Sequence, residues 1–227
     1  MSKKRVWQAH TQRDISWMSM EDGLSDKAAR HLVIAQYHPR MYPECTVVPN
    51  IIDIFDEALM PDWSVKNEKP RVVYSPSRIR FQGWDNKGYE ETIPALQKLV
   101  DNRAITAEVV FNRPYSECLS ARRRADISID EIITGSYHLV SLESLSAGLA
   151  TIAGLDETQR RTLHELTGSA DLPWVIARPE SIESVLKGFV ADRGLLERTR
   201  RASREWMEVF WHPKTTTEKF LKIYEEM

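Results

Sequence analysis

The stretch ADISIDEIITGSYHLVSLESLSAGLATIAG, residues 125–154, contains two short apolar runs separated by a segment with helical character. The run ATIAG (150–154) lacks the regular polar alternation of a half-exposed strand, and LVSLESLSAG lies between it and the run ADISID (125–130). Strands without that alternation are typical of parallel sheets that are covered on both faces. This stretch therefore predicts a strand–helix–strand unit of a parallel sheet.

The same alternation extends on both sides of this stretch. Further strands are predicted at PRVVYSPS (70–77), TAEVVF (106–111) and PWVIAR (173–178). Helices are predicted at YEETIPALQKLVDN, SECLSARRR, ETQRRTLHELTG and ESIESVLKGFVADRG, which follow successive strands. Because crossovers between parallel strands are right-handed, the pattern predicts a doubly wound α/β fold.

The two ends of the chain carry different patterns. HLVIAQY (31–37) and CTVVPNIID (45–53) each predict a strand followed by a loop. Residues 1–30 show no sustained period, so we expect them to be irregular or weakly helical. Residues 192–227 are predicted to be helical, with a break at Pro213.

Composition limits the class of protein. A chain of 227 residues, 42% hydrophobic and 28% charged, forms one large domain or two small ones. The 31 basic and 33 acidic residues give a net charge of −2, which provides no overall field for nucleic acid or an anionic membrane. No run approaches the ~20 apolar residues of a spanning helix, and no apolar segment follows the N-terminal basic residues. We expect a soluble, unprocessed cytoplasmic protein.

The two cysteines, Cys45 and Cys118, lie outside any CxxC or Cys/His cluster. This argues against a disulfide framework and against a zinc site, and favours buried thiols in a reducing compartment. The HELTG run also lacks the second histidine that a zincin site requires.

Ligands of open α/β sheets bind beyond the carboxyl ends of the strands, and the loop SPSRIRFQGWDNKG (75–88) is unusually long for that place. It carries Arg78, Arg80 and Lys87, cations that suit a phosphate group. A solvated surface loop is the alternative interpretation.

A second loop leads into the helix after residue 135. There, Gly135 and Ser136 precede a first turn whose free amides and dipole favour an anion. Glu143 follows two turns later among leucines and must face water or a hydroxyl donor such as a ribose, because burying it unpaired is costly. An exposed glutamate on the polar face fits the periodicity equally well. His138 is either a donor or a capping and packing residue.

The third loop, FNRPYSE (111–117), follows a predicted strand. Asn112 and the backbone of Pro114 could contact the edge of a nucleobase there. The signal is weak, because Asn and Pro are ordinary turn residues.

Taken in order, several segments resemble the C-terminal, nucleotide-binding half of GT-B glycosyltransferases of the retaining, family-four-like group. These segments are VVPNIID (47–53), SPSR and NKG (within 75–88) and the stretch 125–154. The resemblance implies an N-terminal connector or remnant (1–44), a Rossmann-like nucleotide-sugar-binding domain (45–192) and a C-terminal helical tail (193–227). The chain before residue 45 is too short for the acceptor-binding domain of a GT-B enzyme.

The resemblance also implies roles for individual residues. Arg78 and Lys87 correspond to the family's catalytic cations on the donor diphosphate, with Arg80 as the alternative to Arg78 because this loop has extra residues. Glu143 corresponds to the glutamate on the nucleotide ribose, whereas Gly135 stands where the family has a glutamate close to the donor sugar. The backbone cradle for the diphosphate comprises Ser136, Tyr137, His138, Leu139 and Val140.

The function implied is donor binding for retaining transfer of a hexose from a nucleotide-diphosphate sugar, in which the donor phosphate helps to deprotonate the acceptor. Helix amides and cations then stabilise the leaving diphosphate, so neither a metal nor another cofactor is expected. The alternative is a non-catalytic nucleotide-binding or assembly subunit that needs a separate acceptor-binding chain, which Gly135 and the absent first domain favour. An unrelated flavodoxin-like protein is disfavoured, because the first strand is followed by neither an acidic pocket nor a flavin-loop pattern.

The helical tail carries a separate expectation. In GT-B enzymes this helix crosses back to the first domain, so its apolar stripe would here lack its usual cover. We expect exposed Trp206, Phe210 and Trp211 to favour a homo-oligomer or a separate acceptor-domain partner.

Overall fold

A computed structural model of the chain describes residues 6–9, 30–76 and 87–227. Arg78 and Arg80 lie outside the described residues. Parallel strands form two sheets. The smaller sheet contains β1 (Val6–Ala9), β2 (Arg30–Ile34) and β3 (Thr46–Val48). The larger sheet contains β4 (Arg71–Tyr74), β5 (Thr106–Val109), β6 (Ile127–Ile129), β7 (Ala150–Ala153) and β8 (Val175–Ile176).

Seven α-helices are present in the described part of the chain. Five follow the strands of the larger sheet: α1 (Tyr89–Asp101), α2 (Tyr115–Arg123), α3 (Leu139–Ser146), α4 (Glu157–Thr167) and α5 (Ile182–Ala191). The tail forms α6 (Arg193–Phe210) and α7 (Pro213–Glu225). The chain turns between them just before Pro213, whose fixed φ suits the first position of a helix.

The larger sheet is ordered β5-β4-β6-β7-β8, and every neighbouring pair is parallel. Its central strands β6 and β7 are buried at every position. One apolar cluster on the sheet includes Leu96 of α1 and Leu186 of α5, and another includes Leu145 of α3 and Leu163 of α4. The predicted doubly wound α/β fold is confirmed.

The strand order places a switch point between β4 and β6. From β4 the chain moves outward to β5 and then returns to β6 on the other side of β4. At such a switch point, connections from the two neighbouring strands leave the sheet in opposite directions and form a crevice, which is where open α/β sheets bind ligands. These are the first and second loops singled out in the sequence.

The N-terminal region differs from its expected irregular or weakly helical structure. Residues Val6–Ala9 form a strand that pairs in parallel with β2, and β2 pairs in parallel with β3. A strand of four residues is too short to show a period in the sequence, so it was missed. The division of the chain at residue 44 remains a prediction.

The expectation of exposed tryptophans in the tail is wrong. Trp206 is stacked on Trp211 and packs edge-on against Trp174, and its Nε1 donates to Ser169 Oγ at 3.0 Å. Trp211 is fully buried and donates from Nε1 to Asn50 O at 2.9 Å, while Phe210 is half-buried. The indoles are covered because α6 packs back on α3 and β7. They provide no exposed surface for a partner.

Within the described ranges, no helix combines the length and the apolarity needed to cross a membrane. Cys45 is buried, Cys118 is half-buried, and both are free thiols.

Candidate functional site

The crevice at the switch point contains a buried ion pair. Lys87, at the end of the loop after β4, places Nζ 2.9 Å from Oδ1 of Asp130, the first residue after β6. Lys87 is 6% exposed and Asp130 is fully buried. The hydroxyl of Tyr74, the last residue of β4, donates to the Lys87 carbonyl at 3.2 Å. The fold therefore brings together two loops that are more than forty residues apart in the sequence.

Asp130 organises the start of α3 around this pair. Its Oδ1 also lies 3.2 Å from His138 Nδ1, and its Oδ2 accepts from the His138 amide at 2.5 Å and from Ser141 Oγ at 2.8 Å. Burial alone would raise the pKa of Asp130, but the charges of Lys87 and His138 hold this pKa far below its usual value. An ionised Asp130 thus links Lys87 to the first turn of α3. The His138 side chain is 42% exposed at the crevice.

The neighbouring carboxylate, Glu131, fills the turn that leads to α3. It is fully buried and accepts from the amides of Ile133 at 3.1 Å, Thr134 at 2.7 Å and Ser136 at 3.1 Å. Sequence reasoning missed this residue and Asp130, although two consecutive acids directly after a buried strand were a visible signal.

The predicted backbone cradle is thus divided in two. The amides of Ser136 and His138 are bound by carboxylates of the protein itself. The first helical hydrogen bond runs from Ser141 N to His138 O, so the amides of Leu139 and Val140 come before the intrahelical ladder. Tyr137 turns its side chain into the core, with its ring 5.1 Å from that of Trp174. The amides of Leu139 and Val140 are the ones available to an anion.

Glu143 is buried and paired. Its Oε2 lies 2.7 Å from Arg122 Nη2, and its Oε1 accepts from the Tyr115 hydroxyl at 2.7 Å. Glu143 and Arg122 are 2% and 3% exposed, whereas the Tyr115 ring is largely exposed. Burial and the hydrogen bond to Glu143 raise the pKa of Tyr115 to about 12. The carboxylate therefore faces a hydroxyl donor, as one sequence interpretation required, but the donor belongs to the protein.

Tyr115 and Arg122 were not identified from the sequence. They lie seven residues apart on α2, a spacing of two helical turns that places them on one face. The spacing predicts that the two side chains share a helix face, but it does not indicate that Glu143 of another helix lies opposite that face.

Gly135 has a left-handed backbone with φ of 77°. A Cβ built there would lie 2.6 Å from Asp156 Oδ2, so the carboxylate of Asp156 takes the space of a side chain. Asp156 follows β7, and its Oδ1 accepts from Arg40 Nη2 at 2.6 Å and from Gln159 N at 2.9 Å. Arg40 also donates to the Gly135 carbonyl at 3.3 Å. Neither Arg40 nor Asp156 was predicted, since their contact spans 116 residues.

A cavity of about 300 Å³ opens beside these residues at the carboxyl ends of β6, β7 and β8. Its polar walls include Thr134, Gly135, Gly154, Asp156, Arg178 and Glu180. In the described ranges, no group of three or more His, Cys, Asp or Glu side chains could hold a metal ion.

Asn112 occupies the exposed turn between β5 and α2, with a left-handed backbone at φ of 51°. It lies at the carboxyl edge of the larger sheet but has no contact that joins it to Lys87 or Glu143 among the described residues. Of the predicted side chains that are described, only Lys87 and His138 are brought together, because both contact Asp130.

No protein-family model and no curated protein matches this chain. Solved structures match its fold. A sucrose-phosphate synthase from Thermosynechococcus elongatus aligns with 97% of this chain and 67% of its own, at 11% identity and a TM-score of 0.59. A glycosyltransferase from Rickettsia africae aligns with 97% of this chain and 70% of its own, at 15% identity and a TM-score of 0.59.

A third match is the S. aureus protein TarM, solved with fondaparinux, alpha-GlcNAc-glycerol and UDP. It aligns with 90% of this chain and 52% of its own, at 8% identity and a TM-score of 0.59. At sequence identities this low, the matches show a similar fold and nothing about function. This chain spans only a part of these neighbours, and its doubly wound sheet matches the fold of that part.

Proposed function

We propose that this chain is the donor-binding module of a glycosyltransferase, which holds a nucleotide-diphosphate sugar in the crevice between β4 and β6 and supports hexosyl transfer with retention. The observation that carries the proposal is the buried Lys87–Asp130 pair at the switch point. Open α/β sheets bind nucleotides at this place.

The cost of buried charge supports this interpretation. A buried ion pair is often no more stabilising than apolar residues of the same volume, so its presence needs another reason. Among the described residues, three ion pairs have both side chains almost fully buried: Lys87–Asp130, Arg122–Glu143 and Arg200–Asp126. The third ties α6 to the amino end of β6, a packing role. The first lies at the ligand edge, and the second joins helices that start there.

The diphosphate is proposed to bind the groups that remain available. The Lys87 ammonium has three protons, and Asp130 accepts one of them among the described residues. The others, with the amides of Leu139 and Val140 and the positive end of α3, are proposed to contact the diphosphate and to stabilise the charge that develops on it as it leaves. Arg78 or Arg80 adds a second cation. The donor phosphate accepts the proton of the acceptor hydroxyl, and the step needs no metal.

The ribose is proposed to bind at Glu143 by exchange. Its hydroxyl replaces the Tyr115 hydroxyl on Oε1, while Oε2 keeps its contact with Arg122. One hydrogen bond to a carboxylate is exchanged for another, so the buried charge is never left unpaired. The loop containing Asn112 borders this position and is proposed to contact the base.

A non-catalytic nucleotide-binding subunit that works with a separate acceptor-binding chain is the second candidate. It is favoured by Glu131, which already binds three amides of the turn before α3. It is favoured also by Gly135, which offers no side chain to a donor.

Isothermal titration of the full chain with UDP, GDP and ADP and their hexose conjugates tests the proposal. We expect one base series to bind, and Lys87→Gln to abolish that binding while circular dichroism shows a folded protein. Lys98→Gln is the matched control, because Lys98 is an exposed lysine of α1 that pairs with Glu183. Absence of heat with every ligand from a folded chain would overturn the proposal.

Transfer assays separate the two candidates. Hexosyl transfer by the isolated chain, with the anomeric configuration of the product assigned by NMR, would establish the transferase and its stereochemistry. If the isolated chain binds a nucleotide but transfers no sugar, and an added acceptor-binding chain restores the transfer, the protein is the non-catalytic subunit.

A further inference from the structure

The imidazole of His138 is held by a buried carboxylate and has no part in the proposed sugar transfer. Its Nδ1 lies 3.2 Å from Asp130 Oδ1. Because an ionised carboxylate only accepts hydrogen bonds, Nδ1 carries a proton and donates it. In the neutral ring, Nε2 therefore has the lone pair. Asp130 thus determines both the orientation of the ring and the nitrogen that can accept a proton.

The side chain of His138 does not cap α3. His138 occupies the N-cap position, but its side chain makes no capping hydrogen bond there. His212 occupies the same position of α7, and its Nδ1 does accept from the Lys214 amide at 3.1 Å. The contact of His138 Nδ1 with Asp130 therefore takes the place of a capping contact.

The second ring nitrogen of His138 is open to solvent. The side chain is 42% exposed, whereas that of Asp130 is fully buried. Among the described residues Nε2 has no hydrogen-bond partner, and it is not one of the buried polar atoms that lack a partner there. A water molecule or a ligand can therefore reach the atom that has the lone pair.

The carboxylate that orients His138 is itself held firmly. Asp130 Oδ1 also accepts from Lys87 Nζ at 2.9 Å. Its Oδ2 accepts from Ser141 Oγ at 2.8 Å and from the His138 amide. The imidazole of His138 and the ammonium of Lys87 therefore lie close together, because both contact the same oxygen atom.

We propose that His138 is a general base with which this chain hydrolyses the diphosphate of a bound nucleotide sugar. Lys87 and the amides of Leu139 and Val140 are the groups assigned above to the diphosphate. His138 lies beside Lys87 and directly precedes the other two residues in the chain. Its Nε2 is therefore expected beside a phosphorus atom. The inference rests on the proposed function, because that function supplies the diphosphate.

The proposed step is an attack of water on phosphorus. Nε2 removes a proton from water, and the water oxygen bonds to one phosphorus atom while the bond from that atom to the bridging oxygen breaks. The bridging oxygen leaves with the electron pair and takes a proton from the imidazolium or from solvent. The products are a nucleoside monophosphate and a hexose 1-phosphate. Lys87 stabilises the added negative charge. Asp130 is a positioning residue that also stabilises the imidazolium.

Phosphorus NMR of the full chain with UDP-glucose, GDP-glucose and ADP-glucose tests the proposal. The water is enriched in oxygen-18, and EDTA in the buffer stops metal-dependent contaminants. We expect one donor to yield its nucleoside monophosphate and glucose 1-phosphate, with the label on one of the two phosphates. His138→Ala should lower kcat about 10²- to 10⁴-fold, the contribution typical of a general base. Added imidazole should restore part of the lost rate.

His164→Ala is the matched control. The Nδ1 of His164 is also occupied, but its partner is the Ser169 carbonyl at 3.0 Å, and the residue belongs to α4. This variant should hydrolyse the donor as the wild type does. Asp130→Asn should lower kcat without raising KM, because Lys87 keeps its charge while the ring loses its fixed tautomer. If Asp130 were merely structural, KM would rise as well.

Four results would overturn the inference: no hydrolysis of a donor that binds, cleavage to nucleoside diphosphate and free glucose, equal rates in wild type and His138→Ala, or a rate of His138→Ala that does not respond to imidazole. Titration calorimetry with the same donors separates these failures from that of the proposed function. A wild-type chain that binds a donor and leaves it intact contradicts the inference alone. A folded chain that binds none of them contradicts the proposed function.

Discussion

The guanidinium of Arg122 lies 2.7 Å from the carboxylate of Glu143, and both side chains are almost fully buried between α2 and α3. The pair leaves Nε and Nη1 of Arg122 without hydrogen-bond partners. Arg122 therefore depends on one neighbour for its compensation. The carboxylate that the resemblance assigns to a ribose also stabilises the packing of two helices.

Replacing Glu143 by glutamine should destabilise the protein by about 3–5 kcal/mol, because the Arg122 charge is then buried without a counter-ion. Equilibrium unfolding in urea measures the change. Glu108→Gln is the control: its partner Arg71 is about one third exposed, so that loss should stay at or below about 1 kcal/mol. Equal losses for the two variants would contradict the buried-charge explanation.

Replacing Tyr115 by phenylalanine should strengthen nucleotide binding, by roughly two- to tenfold, because the ribose no longer has to displace the tyrosine hydroxyl from Glu143. Titration calorimetry with the preferred nucleotide gives the affinity. Tyr224→Phe removes a hydroxyl from a half-exposed ring of α7 and should change nothing. Weaker binding by Tyr115→Phe would mean that the Tyr115 hydroxyl itself holds the ligand.

Acid should reduce the stability that Asp130 provides. Its folded-state pKa is depressed below the usual 3.8, so its contribution is complete above about pH 4 and is lost as the pH falls below that value. The stability difference between wild type and Asp130→Asn should therefore shrink as the pH falls below about 4. Melting temperatures across this range measure it, and a difference that grows on acidification would exclude an ionised Asp130.

Two glycine substitutions separate backbone strain from collision. Gly135 and Gly168 have nearly the same φ, 77° and 74°, but a Cβ at Gly168 meets nothing within 4 Å. Gly168→Ala should cost about 1 kcal/mol for the left-handed conformation alone. Gly135→Ala should cost about 1–3 kcal/mol more, because its Cβ collides with Asp156. Urea unfolding of both variants gives the difference, and equal costs would show that Asp156 moves aside freely.

The fold was predictable because its signals are local. The strands of the larger sheet lie in short segments of strand-forming residues, and helical segments separate them, so five strands and the helices between them were placed to within a few residues. β1 was not predicted, because its four residues are too few to show a hydrophobic period. The positions of Lys87 and His138 at the carboxyl edge of the larger sheet also followed from the sequence, since both lie in loops after predicted strands.

Tertiary structure alone decided which charges meet. Glu143 contacts Arg122 and Tyr115, which belong to another helix, and Asp156 contacts Arg40, which lies 116 residues away. Glu131 binds amides of its own turn. The burial of Trp206 and Trp211 was equally unpredictable, since the surface that covers an apolar stripe is not encoded in the stripe. Periodicity specifies which face of an element turns inward. The partner of a buried charge depends on packing between distant segments, so only the folded chain determines it.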